Sequence, residues 1–338
     1  MKALVYTGPG GLVFRDEPDP VAQPGEALVR VEAVGICGSD MHAWHGFDSR
    51  RPPPLILGHE AAGHIVSGPR AGERVTINPL VVDPDCPYAI EGRWHLSPTR
   101  QIISMPPRQG AFAELVRIPE RNLVAIPDDM PIAHAALAEP IAVAWHAVRI
   151  GVDRLHQPLA ACRVVVLGGG AIGLAAALVA RLFGARNLVV GETNGLRRAT
   201  LEQTEGFDVY APGEAEPDPN SVDLVIDAVG ADATRAAACR MVRPGGVVVH
   251  VGLLPGQGGL DVRKLTLQEV TFAGVYCYSP ADFAQTVAAL AARRLGGLGW
   301  FESRALADGA AAFADIDAGG VAAAKIVLVV PDESAPYG

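Results

Sequence analysis

The 338-residue sequence predicts an α/β protein in two parts: a doubly wound parallel sheet, and an antiparallel, barrel-like β domain. Three observations predict it. From about Ile141 onward, short apolar runs alternate with stretches of helical periodicity. Before that point, apolar runs are broken by Pro and Gly with no such alternation. The tail closes on one more apolar run, Lys325-Ile326-Val327-Leu328-Val329-Val330.

Taken in order, residues 27–34, 62–66, 74–77 and 112–116 read as strands of the first part. Residues 142–149 carry helical periodicity and lead into the alternation: strand 164–167, helix 172–183, strand 187–191, helix 196–204, then strands 222–228 and 247–251. Residues 211–220, with three prolines and several acids, read as a solvated loop. A helix at 281–293 and the strand at 325–330 follow. The tail is expected to rejoin the first part, so one domain comprises 1–141 with 279–338 and the other 142–278.

Composition narrows the function. Apolar residues make up 49% and charged residues 19%, an ordinary globular profile. A net charge of −9 leaves no basic excess to displace counterions from a phosphate backbone, so no nucleic-acid partner is expected. The apolar start at residues 1–6 is cut off by Gly8-Pro9-Gly10 and is too short for a signal peptide. Residues 164–180 approach membrane-spanning length but contain Gly168, Gly169, Gly170 and Gly173. A strand–loop–helix reading uses all four glycines, so no membrane span is expected. Cys37, Cys86, Cys162, Cys239 and Cys277 are odd in number and scattered. That argues against a disulfide framework and for a reducing cytoplasm.

Three short stretches carry metal chemistry: Gly35-Ile36-Cys37-Gly38-Ser39-Asp40-Met41-His42, Gly58-His59-Glu60 and Glu139-Pro140. They offer a thiolate, an imidazole and two carboxylates, a set suited to zinc with a position left for substrate or water. A lone Cys or Glu-Pro is more often structural; the metal reading rests on their combination. Residues 163–167 then run straight into Gly168-Gly169-Gly170-Ala171-Ile172-Gly173, a strand delivering a glycine loop to a helix. Gly168 permits the tight turn, Gly170 lets the backbone approach a pyrophosphate, and Gly173 lets helix pack on strand. Glu192, twenty-four positions after Gly168, ends the next strand. An acid there accepts hydrogen bonds from ribose hydroxyls and repels a 2′-phosphate, favouring NAD over NADP. Zinc and a dinucleotide in one chain point to hydride transfer at an alcohol or carbonyl.

With these motifs in this order, the chain resembles the medium-chain dehydrogenase/reductase superfamily over essentially its whole length, within the zinc-dependent alcohol and polyol dehydrogenase branch. The resemblance implies a Rossmann nucleotide domain and a GroES-like catalytic domain. It implies Cys37 and His59 as zinc ligands, with Glu60 either a direct ligand or one step behind. Glu139 falls where many alcohol dehydrogenases have cysteine, and sorbitol, threonine and butanediol dehydrogenase-like members have Glu-Pro. Asp40 matches a carboxylate that orients the histidine ligand. Ser39 matches a hydroxyl that bonds the substrate oxygen, and His42 the outer end of a proton relay. Ile172 matches a residue packed behind the nicotinamide, and Arg197 one lying over the adenine side. A plain solvated arginine is the competing reading of Arg197. The implied activity is oxidation of a secondary alcohol, a polyol or sugar alcohol, to the ketone with zinc and NAD, in a homodimer or homotetramer. The rivals are a zinc-free quinone or enoyl reductase of the same superfamily and a non-catalytic nucleotide-binding protein.

One departure stands out. The family commonly carries a lobe with four cysteines around a structural zinc; here those positions hold Asp83, Cys86, Ala89 and Ser97. One thiol cannot close such a site, so a single, catalytic zinc per chain is expected. Asp85 and His95 read as solvated loop residues, with improvised metal ligands the competing reading, and packing of Tyr88, Trp94 and Leu96, with the prolines, is expected to hold the lobe. Substrate pocket walls are expected from 44–51, 100–105 and 274–279. Trp44 and His45 either line that cleft or pack locally. His64, His134, His146 and His250 read as satisfied structural residues.

Overall fold

In a computed structural model, which describes residues 1–330 apart from the Thr204 side chain, the nucleotide part is a six-stranded parallel sheet. Its order is Asp208–Tyr210, Asn187–Gly191, Arg163–Leu167, Val222–Asp227, Val242–His250, Thr271–Gly274. Chain order reverses beside Arg163–Leu167, so the glycine loop that follows this strand opens onto the switch-point crevice where such sheets bind ligands. The strands read as apolar throughout because both faces are buried. Val164, Val166, Leu224, Ile226, Val247 and Val249 share a core with helices Ala138–Val152, Ala171–Leu182 and Pro280–Ala291. The alternate residues Val165, Leu167, Val225 and Val248 pack with Ala238 and Met241 of helix Asp232–Met241. Helix Ala138–Val152 starts four residues before its predicted start, with Glu139 and Pro140 in its first turn, where proline costs no hydrogen bond. Helix Ala171–Leu182 has 12 residues, and no helix among the described residues is long and apolar enough to cross a membrane.

The other part is built on a seven-stranded sheet. Its main path runs Leu123–Ala125, Arg74–Ile77, Glu60–Ile65, Glu26–Gly35, Lys325–Val329, Phe301–Ala305, with Leu115–Pro119 also paired to Glu26–Gly35. Strand Lys325–Val329 pairs antiparallel with Glu26–Gly35, with Val34 opposite Leu328. One strand was not foreseen and one expectation needs correction. Phe301–Ala305 lies parallel to Lys325–Val329, because helix Gly309–Asp317 carries the chain back between them. The run at 112–116 does not form one strand. Phe112 instead exchanges backbone bonds with Leu57 and Leu4, Ala113 makes a lone bridge to Ala3, and the strand begins at Leu115.

Candidate active site

Cys37 caps the short helix Gly38–Trp44 in extended conformation (φ −95°, ψ 154°), at the end of strand Glu26–Gly35. Glu60 opens the neighbouring strand Glu60–Ile65, directly after His59, and lies opposite Gly35. Sheet pairing thus brings the first two motifs together. The ligand atoms of Cys37, His59 and Glu60 lie within 4.8 Å of one another, the only such cluster of three or more among the described residues.

Buried Asp40 braces both segments. Its Oδ2 accepts from Cys37 N at 3.0 Å and its Oδ1 from Gly58 N at 3.3 Å, and Oδ1 stands 3.5 Å from His59 Nδ1. Burial pushes the Asp40 carboxyl up, but the His59 and Arg51 charges and the hydrogen bonds from His59 and Cys37 N leave it below the ordinary range. For His59, burial works against protonation, yet Asp40 and Cys37 hold its pKa well above ordinary. Ser104 Oγ is also 3.5 Å from His59 Nδ1, leaving Nε2 as the other ring nitrogen.

Glu60 is buried. Its Oε1 accepts from Lys325 Nζ at 2.7 Å, and the same ammonium donates to Ile36 O at 2.8 Å. Burial disfavours the lysine's charge, but Glu60 and Cys37 raise its pKa. Oε2 of Glu60 is buried with no hydrogen-bond partner. A Cβ on Gly35 would overlap that oxygen, so only glycine leaves room for it. Glu139 sits outside the 4.8 Å cluster, buried in the first turn of its helix, and accepts from Tyr278 Oη at 3.0 Å. Burial and the charge of Glu60 push its carboxyl up to about 7, with His59 and Lys325 opposing. A thiol, an imidazole, a carboxylate oxygen lacking any donor and a second buried carboxylate beside them fit a zinc ion.

Ser39 and His42 are half-buried and three residues apart on the short helix, hence on one face. Buried Arg51 bonds Ser39 O at 2.9 Å, Ser104 O at 3.0 Å and Asp48 Oδ2 at 3.1 Å, tying this helix to residues 100–105. Trp44 packs on Phe313, while His45 pairs with Asp317 at 3.0 Å and stacks on Phe47. His64 meets Glu32 at 2.9 Å, His146 meets Asp282 at 2.8 Å and His250 lies 3.6 Å from Asp227, while His134 rests edge-on against Phe301.

At the nucleotide loop, Gly168 has φ +95° and Gly170 caps helix Ala171–Leu182. A Cβ on Gly173 would overlap the Gly168 carbonyl, whereas one on Gly170 would meet nothing within 4 Å. The open space at Gly170, before a helix N-terminus, fits a pyrophosphate. Ile172 is half-buried beside it. Glu192 does more than end its strand: its Oε2 accepts from Gly169 N at 2.7 Å and its Oε1 from Asn194 N at 2.7 Å. Arg197 is half-buried with a buried, unpartnered Nε. Arg198, which the motif reading passed over, bonds the carbonyls of Glu192 and Thr193.

The lobe corrects one expectation. His95 is buried, not solvated: the turn Trp94–Leu96 points its ring edge-on at His146, 4.9 Å between centroids, and leaves Leu96 exposed. Trp94 does pack, donating Nε1–H to Ala89 O at 3.1 Å, and Arg93 covers Tyr88. Cys86 Sγ and Ser97 Oγ, at two of the four former ligand positions, are 3.7 Å apart, and all five cysteines are free.

Sequence reading missed Tyr278, Lys325, Ser104 and Arg51. Tyr278, Ser104 and Arg51 lie in the stretches expected to wall the pocket, and Lys325 is the single charge heading an apolar run, the one signal available for it.

Fold and site together define a two-domain, zinc-binding NAD(P)-dependent dehydrogenase. Residues 23–128 match the alcohol dehydrogenase GroES-like domain and residues 171–293 the zinc-binding dehydrogenase family. The chain is 32% identical to L-galactonate-5-dehydrogenase of Escherichia coli (strain K12), over 84% of this chain and 86% of that one. It is 31% identical to sorbitol dehydrogenase of Macaca fascicularis, over 82% and 81%. In fold it is similar to an alcohol dehydrogenase from E. coli CFT073 complexed with NADH (TM-score 0.87, 22% identity, 97% of this chain and 99% of that one). The chain belongs to the zinc-containing alcohol dehydrogenase family of the medium-chain dehydrogenase/reductase superfamily, among the alcohol and polyol dehydrogenases.

Proposed function

We propose that this chain oxidises a secondary alcohol of the polyol or sugar-alcohol class to its ketone, with one zinc per chain and NAD. The observation that carries this reading is the assembled Cys37–His59–Glu60 cluster, with one carboxylate oxygen lacking any donor, in a chain that also presents the open nucleotide loop. When bound, zinc supplies the Lewis acidity that acidifies an alcohol hydroxyl, and NAD supplies the hydride acceptor. Cys37, His59 and Glu139 hold the metal, and Glu60 completes the set. Asp40 keeps the His59 ring oriented. Ser39 Oγ takes the substrate hydroxyl proton and His42, on the same helix face, hands it to water. Gly168, Gly170 and Gly173 shape the pyrophosphate cradle and Ile172 backs the nicotinamide. Glu192 fixes the cradle through Gly169 N and presents acceptor oxygen to the ribose, and Arg197 lies at the adenine side.

The catalytic domain, in this reading, is 1–141 with 279–338 and the nucleotide domain 142–278. The chain works in the cytoplasm as a dimer or tetramer. Exposed Leu253, Leu254, Leu260, Val262 and Leu267, in the segment that precedes the edge strand Thr271–Gly274, supply apolar surface for a second copy. The test is a panel of polyols, secondary alcohols and hydroxy acids with NAD and NADP, followed at the nicotinamide absorbance, alongside elemental analysis of the protein. NAD-linked turnover of polyols and close to one zinc per chain are expected. Turnover confined to quinones or enoyl compounds in metal-free protein would refute the reading.

A further inference from the structure

Tyr278 belongs to none of the motifs assigned above. Its side chain is fully buried, its ring stacks on Phe283 with centroids 5.4 Å apart, and its hydroxyl donates to Glu139 Oε1 at 3.0 Å. A buried phenol needs a partner, and here the partner is a carboxylate beside the metal cluster. The next residue fixes the backbone. Ser279 caps helix Pro280–Ala291, accepting from Asp282 N at 3.1 Å, while Asp282 Oδ2 accepts from Ser279 Oγ at 2.6 Å. Asp282 then reaches across to the helix that carries Glu139, accepting from His146 Nδ1 and Arg149 Nε, each at 2.8 Å. Glu139 and His146 are two turns apart on one helix face. Residues 278–282 and this helix are therefore joined at two points along the same seam, and Glu139 is one of them.

The two carboxylates of the site are matched to different donors. Glu60 faces the ammonium of Lys325, which offsets its charge. Glu139 faces a neutral hydroxyl, which occupies one oxygen without cancelling the charge. Resting on the reading of Glu139 as a zinc ligand, we propose that Tyr278 is a positioning residue that ties down Oε1 of Glu139 and leaves Oε2 as the oxygen that binds the metal. Partners of this kind change metal affinity by about 10–100-fold when removed.

Tyr278→Phe keeps the ring and its stacking and deletes the hydroxyl alone. Zinc affinity is read by chelator competition, and the geometry of the site by the visible absorption of the cobalt-substituted protein, with thermal unfolding of the metal-free form as the check on folding. Y278F should fold, bind zinc about 10–100-fold more weakly and shift the cobalt bands. In a Glu139→Ala background, the same change should produce no further loss. Unchanged affinity and cobalt spectrum in Y278F would overturn the proposal, as would an equal loss with and without Glu139. Failure of the underlying reading has its own signature: Glu139→Ala alone would leave zinc affinity at the wild-type level.

Discussion

Replacing Lys325 with Met tests how the site handles buried charge. The ammonium is buried and touches two groups, Glu60 Oε1 at 2.7 Å and Ile36 O at 2.8 Å. Met keeps most of the side-chain volume and removes the charge. Glu60 is then left in a dry site where its Oε2 already lacks a donor and Gly35 backbone presses against it. Removing one partner of a buried pair costs about 3–5 kcal/mol, mostly the stranding of the other charge. The unfolding entropy of a 338-residue chain is about 0.7 kcal/mol/K, so the metal-free protein should lose about 4–7 °C in Tm. Zinc changes the outcome, because a divalent cation against Glu60 takes over the compensation. The loss should therefore shrink in zinc-loaded K325M. Calorimetric scans of wild type and K325M, each metal-free and zinc-loaded, give the four values needed. A metal-free K325M within about 1 °C of wild type would mean that the pair costs as much to desolvate as it returns. Equal losses in both forms would show that lysine and metal do not serve the same carboxylate.

The glycine loop should respond asymmetrically. Gly173→Ala forces a methyl into the Gly168 carbonyl and should lower both stability and NAD affinity, while Gly170→Ala should fold normally and lose NAD affinity only; calorimetric titration with equal effects would refute the assignment. Glu192→Ala should narrow the preference for NAD over NADP and weaken NAD itself, since Gly169 N and Asn194 N lose their acceptor; a wild type that prefers NADP would sink the reading of Glu192. For His95, burial and the neighbouring His146 lower the pKa from 6.5 to about 4, so the folded state holds the ring neutral where the unfolded chain protonates it. Its contribution to stability is complete above pH 6.5 and is lost as pH falls toward 4. Tm measured across that range should fall more steeply in wild type than in His95→Phe, and parallel curves would show that His95 keeps its proton exchange with solvent.

What was legible in the sequence was local. The alternation from residue 164 onward and the turn at Gly168 need only neighbours in the chain, and the structure follows them to within a few residues. The candidate metal residues stood out for a different reason: a thiolate, an imidazole and carboxylates in combination drew attention to Cys37, His59 and Glu60, and the family resemblance implied their roles. The groups that tune those ligands were not legible. Lys325 reaches Glu60 across 265 positions, and Tyr278 reaches Glu139 across 139. Neither has a periodicity or a motif, because pairing in the sheet and packing of two helices create the contact. His95 failed for the same reason: nothing in a proline-rich lobe announces that one side chain will turn inward onto His146.

These long-range partners explain how one buried site tolerates two carboxylates. Glu60 and Glu139 repel, and Glu60 helps to push the Glu139 carboxyl up. A pair of that kind in a dry site is stable only if each charge has a separate remedy. Lys325 answers for Glu60 by opposite charge, from the returning C-terminal strand. Tyr278 answers for Glu139 by a hydrogen bond that leaves the charge in place, from the segment after the last strand of the nucleotide sheet. Lys325 thus compensates Glu60, while burial and the charge of Glu60 push the Glu139 carboxyl toward its neutral form against the opposing charge of His59. A ligand of positive charge bound between them relieves Glu139 and satisfies the bare Oε2 of Glu60 at once. A carboxyl raised toward neutrality and a carboxylate oxygen without a donor, beside a thiol and an imidazole, are the features of the cluster that fit a cation.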